Sequence, residues 1–246
     1  MDRDTFYQYE ESQAQAGYRS AVLYKEQGDT KYRFLCASET VPFPFGTKET
    51  FEYNLLNSGS IGQVEGKSQI EQKEIELLYT RNNAMLFETL RGRVLDFMSI
   101  TPQKIGYKYH GKISFRPNDA TNDIHRGTYT ITPMGANEVP LWKARNECLE
   151  PLFFADVIHD EINMSNIKTE TIPLNLSLVN NYASAKYSYA TVGEDNNVGT
   201  TETDITVDKG IGNIPKSEGL YVIYARPAEG DKEKYSSCFT TVYVNA

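Results

Sequence analysis

Residues 107–115 read YKYHGKISF and residues 127–132 read GTYTIT. Both runs are rich in aromatic and β-branched side chains, which suit a pleated, half-buried surface. Between them, residues 117–123 (PNDATND) are turn chemistry throughout. Two aromatic strands across a polar turn mark the first part of the chain as sheet, and reading outward extends it. Ala21-Val22-Leu23-Tyr24 and residues 31–36 are short strands joined at Gly28-Asp29. Residues 51–56 and 61–66 are two more, turned by Asn57-Ser58-Gly59-Ser60, and residues 75–79 (IELLY) are another. One helix interrupts this series. Asn82 or Asn83 can cap it, and Ala84, Phe87, Leu90 and Val94 recur at helical spacing. Gly92 weakens its end, and residues 95–101, before Pro102, read as strand or exit.

Downstream, residues 141–154 are ambiguous, and residues 153–162 are apolar enough for a closing strand. The reading divides the chain at Met164-Ser165-Asn166, into a first domain over 1–165 and a second over 166–246. The second has short strands at 174–179, 184–191, 203–207, 219–225 and 236–244. Leu174/Leu176/Leu178, Tyr187/Tyr189 and Leu220/Val222/Tyr224 alternate with period two, as in strands with one buried face. This texture predicts a small antiparallel sandwich of immunoglobulin-like type, without the disulfide and core tryptophan of antibody domains. The expected fold class is mainly β, two β domains in series with one helix in the first.

The chain has 246 residues, 39% of them hydrophobic, enough to bury a core. Lys and Arg total 25 against 33 Asp and Glu, a net charge of −8 that argues against a general nucleic-acid coat. The apolar runs are too short for a membrane span, and the polar, acidic start MDRDTFYQYEE does not read as a signal peptide. Cys36, Cys148 and Cys238 form no C-x-x-C pair, so the reading is buried free thiols in a reducing compartment.

A search for chemistry returns nothing. His110, His125 and His159 make no metal motif, and His159-Asp160-Glu161 reads as a solvated stretch. Gly210-Ile211-Gly212 begins a dinucleotide fingerprint, but Pro215 stands where its helix would start. The acidic clusters at 118–123 and 193–197 read as polar turns without calcium-loop spacing. The expectation is a protein that is not an enzyme, with no catalytic residues, cofactor or metal. A β protein of this kind works through its surface. Residues 1–16 read as an arm carrying Phe6, Tyr7 and Tyr9 among charges. Residues 38–50 read as an extended loop, because Pro42 and Pro44 flank Phe43 within two residues and exclude a sheet interior. Phe43, Pro44, Phe45, Phe6 and Tyr7 are the candidate inter-subunit contacts.

The run Phe45-Gly46-Thr47-Lys48-Glu49-Thr50-Phe51-Glu52-Tyr53, then Val64-Glu65-Gly66, residues 75–79, Arg81-Asn82-Asn83, Asp96-Phe97, Ile100-Thr101-Pro102, residues 107–115 and Gly127-Thr128-Tyr129-Thr130 carry a resemblance. In pattern and order of elements, over residues 40–165, the chain resembles the major tail tube proteins of long-tailed, siphovirus-like phages that bear a C-terminal immunoglobulin-like domain. The resemblance implies a tail-tube β sandwich or barrel, hexameric rings stacked into a tube, and a loop between early strands reaching the next ring. It implies tape measure, tail-tip and terminator proteins as partners, and DNA ejected through a lumen that does not bind it specifically. The location implied is the virion tail, assembled from protein made in the host cytoplasm, with no membrane partner. The second domain would be a decoration, which favours a tail without a contractile sheath. The alternative is a carbohydrate-binding or adhesin-like β protein, with Tyr187, Tyr189, Tyr221, Tyr224 and Tyr243 as candidate sugar-facing rings.

Overall fold

A computed structural model describes residues 20–37, 47–54, 61–69, 72–101, 105–119, 125–155, 161–180, 182–195 and 197–246. The protein is mainly β and divides into two compact units, with the division between Glu147 and Cys148. The sequence reading placed that division at 165/166. Leu152 and Phe154 already pack against Leu178 and Ala225 of the C-terminal unit, which draws the segment from Cys148 onward into it.

The first unit is built on an antiparallel sheet of order β2-β1-β6-β7-β8-β5. Its strands are β1 (Ala21–Lys25), β2 (Arg33–Ala37), β5 (Lys73–Leu78), β6 (Val94–Ile100), β7 (Gly106–Pro117) and β8 (Arg126–Leu141). A separate hairpin pairs β3 (Thr47–Asn54) with β4 (Ile61–Gln69). β3 therefore starts four residues inside the segment read as a loop over 38–50. β5 and β6 lie on either side of β7 and β8, so the chain between them has to cross one face of the sheet. Helix α1 (Arg81–Leu90) makes that crossing. Its Phe87 is stacked between Phe115 (ring centroids 4.7 Å apart) and Tyr129 (5.3 Å), and Leu90 is buried in the same cluster. Val22, Leu35, Leu95, Phe97, Ile113 and Ile131 complete that core from the strands. Buried hydroxyls are satisfied locally: the Cys36 thiol donates to the Tyr129 oxygen at 3.3 Å, and Tyr109 and Ser99 share a bond of 3.1 Å.

Two details of the helix differ from the sequence reading. It begins at Arg81, so Asn82 and Asn83 lie in its first turn, and the Asn83 amide donates back to the Leu78 carbonyl at 2.8 Å. It also ends before Val94. Gly92 takes φ +74°, a left-handed conformation that stops a helix, and Val94 opens β6 as an exposed residue. The stripe of apolar residues continued in sequence past the point where the helix could. Residues 153–162 likewise form no single strand: β9 is only Glu150–Pro151, Phe154 makes an isolated bridge to Leu178, and β10 is Glu161–Asn163.

The second unit is a sandwich. One sheet has the order β10-β18-β16-β12-β13 and faces a three-stranded sheet of order β11-β15-β14. Its remaining strands are β11 (Thr171–Asn175), β12 (Lys186–Thr191), β13 (Thr203–Ile205), β14 (Val207–Asp208), β15 (Ile211–Pro215), β16 (Gly219–Arg226), β17 (Tyr235–Ser236) and β18 (Cys238–Asn245). β10 runs parallel to the last long strand, β18, whereas β16, β12 and β13 follow antiparallel. That arrangement is immunoglobulin-like. Ile172, Leu174, Leu176 and Ile214 meet Tyr221, Ile223, Val242 and Val244 across the core. β15 is absent from the sequence reading, which takes Pro215 only as a bar to a helix after Gly210-Ile211-Gly212. Pro215 sits at the strand's last residue, opposite Thr171.

Where antibody domains place a disulfide cysteine, two residues after a conserved tyrosine, this chain has Ile223 after Tyr221. The tyrosine's function is retained: its hydroxyl donates to the Ser217 carbonyl at 3.1 Å and pins the turn into β16. The three cysteines are all free, but only Cys36 is buried as the sequence reading expected; Cys148 and Cys238 are half-buried. Packing around Cys238 pushes its thiol pKa up to about 12. Replacing Tyr221 with Phe should cost about 1 kcal/mol, the net worth of one buried hydrogen bond. Calorimetry of the full chain should show the C-terminal unit melting lower by several degrees. An unchanged transition would mean the corner bond contributes nothing.

Candidate assembly surface

With α1 covering one face of the first sheet, the opposite face of β6, β7, β8 and β5 is part buried, at Met98, Ile100, Thr128 and Thr130, and part exposed, at Asp96, Lys112, Ser114, Arg116, Glu74 and Glu76. In register across it run Asp96 and His110, then Ser114, Thr130 and Glu74, then Arg116, Thr128 and Glu76. Arg116 pairs with Glu74 at 3.9 Å, Arg126 with Glu76 at 3.8 Å, and Lys25 with Asp96 at 3.8 Å. Carboxylates and cations thus alternate between neighbouring strands, and the face carries no block of one sign. The pattern follows from period two: the residues between these ones, such as Ile75, Phe115 and Tyr129, are buried in the core.

Strands β2 and β5 end the sheet on its two sides. Terminal strands present backbone donors and acceptors that a further strand can pair with. The ladder between β5 and β8 stops at Lys73 opposite Ile131, whereas β8 runs on to Leu141. The β7–β8 register shifts between His110 and Gly111, a bulge that bends the ribbon at this point. Along the second half of β8 and the turn after it, Met134, Val139 and Trp142 are 59%, 70% and 72% exposed. Trp142 is the chain's single tryptophan. Large apolar side chains gathered at the surface mark contact sites. Sequence reasoning missed this cluster because alternation in β8 was followed only to Thr132, and the lone Trp counted merely as the absence of a core residue.

The contact residues singled out from sequence, Phe43, Pro44, Phe45, Phe6 and Tyr7, lie outside the described residues, as do His159 and Asp160. Residues 38–46 connect β2, a terminal strand of the sheet, to the β3–β4 hairpin. Phe51 on β3 is exposed.

The remaining candidates are placed as follows. His110 is exposed on β7, and His125 bonds the Asn118 carbonyl at 3.1 Å with its ring 4.8 Å from Tyr79. No group of His, Cys, Asp and Glu among the described residues is arranged to hold a metal ion. In the 193–197 turn, Asp195 accepts from the Asn197 backbone at 3.1 Å and its amide at 2.7 Å, bonds that hold its carboxyl below the usual range. Of the five tyrosines offered as sugar-facing, Tyr221 is buried and Tyr187 and Tyr189 pack against the sandwich core. Tyr224 and Tyr243 are half-buried, and the Arg226 guanidinium lies 4.4 Å from the Tyr224 ring centroid. Burial acts to raise the pKa of Glu202, but bonds from Ser188 and from both Arg226 nitrogens outweigh it and hold the group lowered. No helix among the described residues is long and apolar enough to cross a membrane. The chain matches no protein-family model and no curated protein by sequence.

The exposed indole provides a direct check on this surface. Trp142 fluorescence in dilute solution should be that of a solvated ring, quenched by acrylamide almost as readily as free tryptophan. A shielded indole would remove Trp142 from the surface.

Proposed function

We propose that this chain is a structural virion protein that polymerises as stacked hexameric rings into a phage tail tube, a conduit for DNA ejection. The observation that carries the reading is the first sheet: among the described residues each terminal strand, β2 and β5, pairs on one side only, and the exposed part of the face opposite α1 carries the pairs Arg116–Glu74 and Arg126–Glu76. Joining β2 of one copy to β5 of the next satisfies both edges and closes the sheets into a ring. The uncovered face then lines the lumen. Arg116 and Arg126 there are paired with Glu74 and Glu76, and unpaired positive charge is what would hold a duplex by its phosphates. The net charge of −8 acts in the same direction.

In this reading the segment carrying Phe43, Pro44 and Phe45 reaches a neighbouring ring, with Phe6 and Tyr7 of the arm as further contacts. Burying each aromatic ring there contributes roughly 1.5–3 kcal/mol before ordering costs. The C-terminal unit is a decoration, and the partners are tape measure, tail-tip and terminator proteins. The protein acts in the virion tail without enzymatic chemistry.

Negative-stain electron microscopy with light scattering on the same sample tests the proposal. Hollow rings or tubes with six-fold end views are expected, spontaneously or on addition of a tail-tip extract. A chain that stays monomeric with the extract overturns it. Changing Phe43 and Phe45 together to Ser should leave a folded subunit, by circular dichroism, that no longer polymerises. Wild-type polymerisation of that variant would remove the loop from the ring contact while leaving the tube reading intact.

A further inference from the structure

The C-terminal unit holds a cleft of ≈ 610 Å³ at the open side of its sandwich, bounded by Leu178, Tyr182, Lys186, Tyr187, Asp204 and Lys209. Leu178, Ile205 and Val207 add apolar side chains to its mixed lining. Tyr182 is held rigidly on the wall: its hydroxyl donates to Asp231 at 2.7 Å and accepts from the Ala228 backbone at 3.0 Å. Its ring also lies 4.6 Å from that of Tyr235. An aromatic ring fixed in this way loses no freedom when a ligand stacks on it.

Lys209 is the informative residue. With Gly210 it makes the two-residue turn between β14 and β15, at φ +49° and +85° respectively. Such turns favour Asn, Asp or Gly at both positions, because other side chains rarely adopt positive φ. Lysine therefore occupies a place where local backbone preference selects against it. The turn is anchored: the Gly210 carbonyl accepts from Leu176 at 2.7 Å, and a β-carbon on Gly210 would lie 2.2 Å from the Ser177 hydroxyl oxygen. Among the described residues Lys209 forms no ion pair. Lys186 is the second ammonium on the cleft, and Asp204 the one carboxylate among its bounding residues. The cleft thus combines a fixed ring, apolar side chains, two ammonium groups, of which Lys186 also lies near Glu229, and a carboxylate able to accept from hydroxyls.

We propose that this cleft binds an acidic saccharide, a pyranose ring bearing a carboxylate, with the ring against Tyr182 and the carboxylate at Lys209 and Lys186. The site is independent of the tube reading, since it lies wholly within the C-terminal unit.

Titration of the full chain with trigalacturonate, maltotriose and inorganic phosphate, followed by calorimetry, tests this. Trigalacturonate should bind at least about tenfold more tightly than either of the others, and more weakly as salt is raised. Lys209→Gly separates binding from folding, because glycine adopts this backbone conformation freely. The variant should melt no lower than the parent and bind trigalacturonate about tenfold more weakly. Equal affinity for maltotriose would refute the role of charge. Equal affinity for phosphate would refute recognition of the sugar ring. Unchanged binding by Lys209→Gly, or no binding of trigalacturonate at millimolar concentration, would overturn the site.

Discussion

The stack of Phe87 between Phe115 and Tyr129 decides how the first unit is organised. Each ring buries enough area to contribute roughly 1.5–3 kcal/mol, and well-oriented aromatic pairs add about 0.5–1.5 kcal/mol. Because α1 has to travel from β5 to β6 across the strands between them, those contacts select the face that becomes core. The other face carries Glu74, Glu76, Arg116 and Arg126 paired across the strands at its exposed end and buries Met98 and Ile100 at the other. A helix docked on the opposite side would have required every strand to shift register by one residue.

The same arrangement leaves β2 and β5 as the terminal strands of the sheet. α1 covers a face, and a face-covering helix cannot satisfy the backbone groups along β2 and β5. β8 outruns its partner and ends beside Val139 and Trp142, both largely exposed. These features match a subunit whose sheet is meant to be continued by its own copies. They fit the tail-tube proposal better than a reading in which the first unit acts alone.

The C-terminal unit reaches its fold by a different balance. Immunoglobulin-like sandwiches often rely on an inter-sheet disulfide. Here Ile223 and its apolar neighbours fill that place, and the Tyr221 hydroxyl fixes the adjoining turn. A core that needs no cross-link leaves the loops and open side of the sandwich available for recognition. Lys209, held at positive φ on the cleft that Tyr182 also lines, is a point where this unit departs from what local backbone preference would select.

The sequence by itself determined the elements. Period-two alternation, aromatic content and turn residues located most of the strands, the helix and the two-part organisation, because those signals act between residues a few positions apart. It also supplied a family resemblance and, from the exposed aromatics, candidate contact residues on either side of β1 and β2. What it could not determine was decided by pairing over long separations. Val94 continued a helical stripe in sequence but opens a strand, because Gly92 turned the chain first. The sequence reading has no strand over 211–215, and β15 exists through its pairing with β11, which sets Pro215 opposite Thr171. The terminal positions of β2 and β5, the exposure of Trp142, and the placing of Tyr182 and Lys209 on one cleft all depend on which strand lies beside which. Burial and edge exposure are properties of that neighbourhood, and no local run of residues contains it.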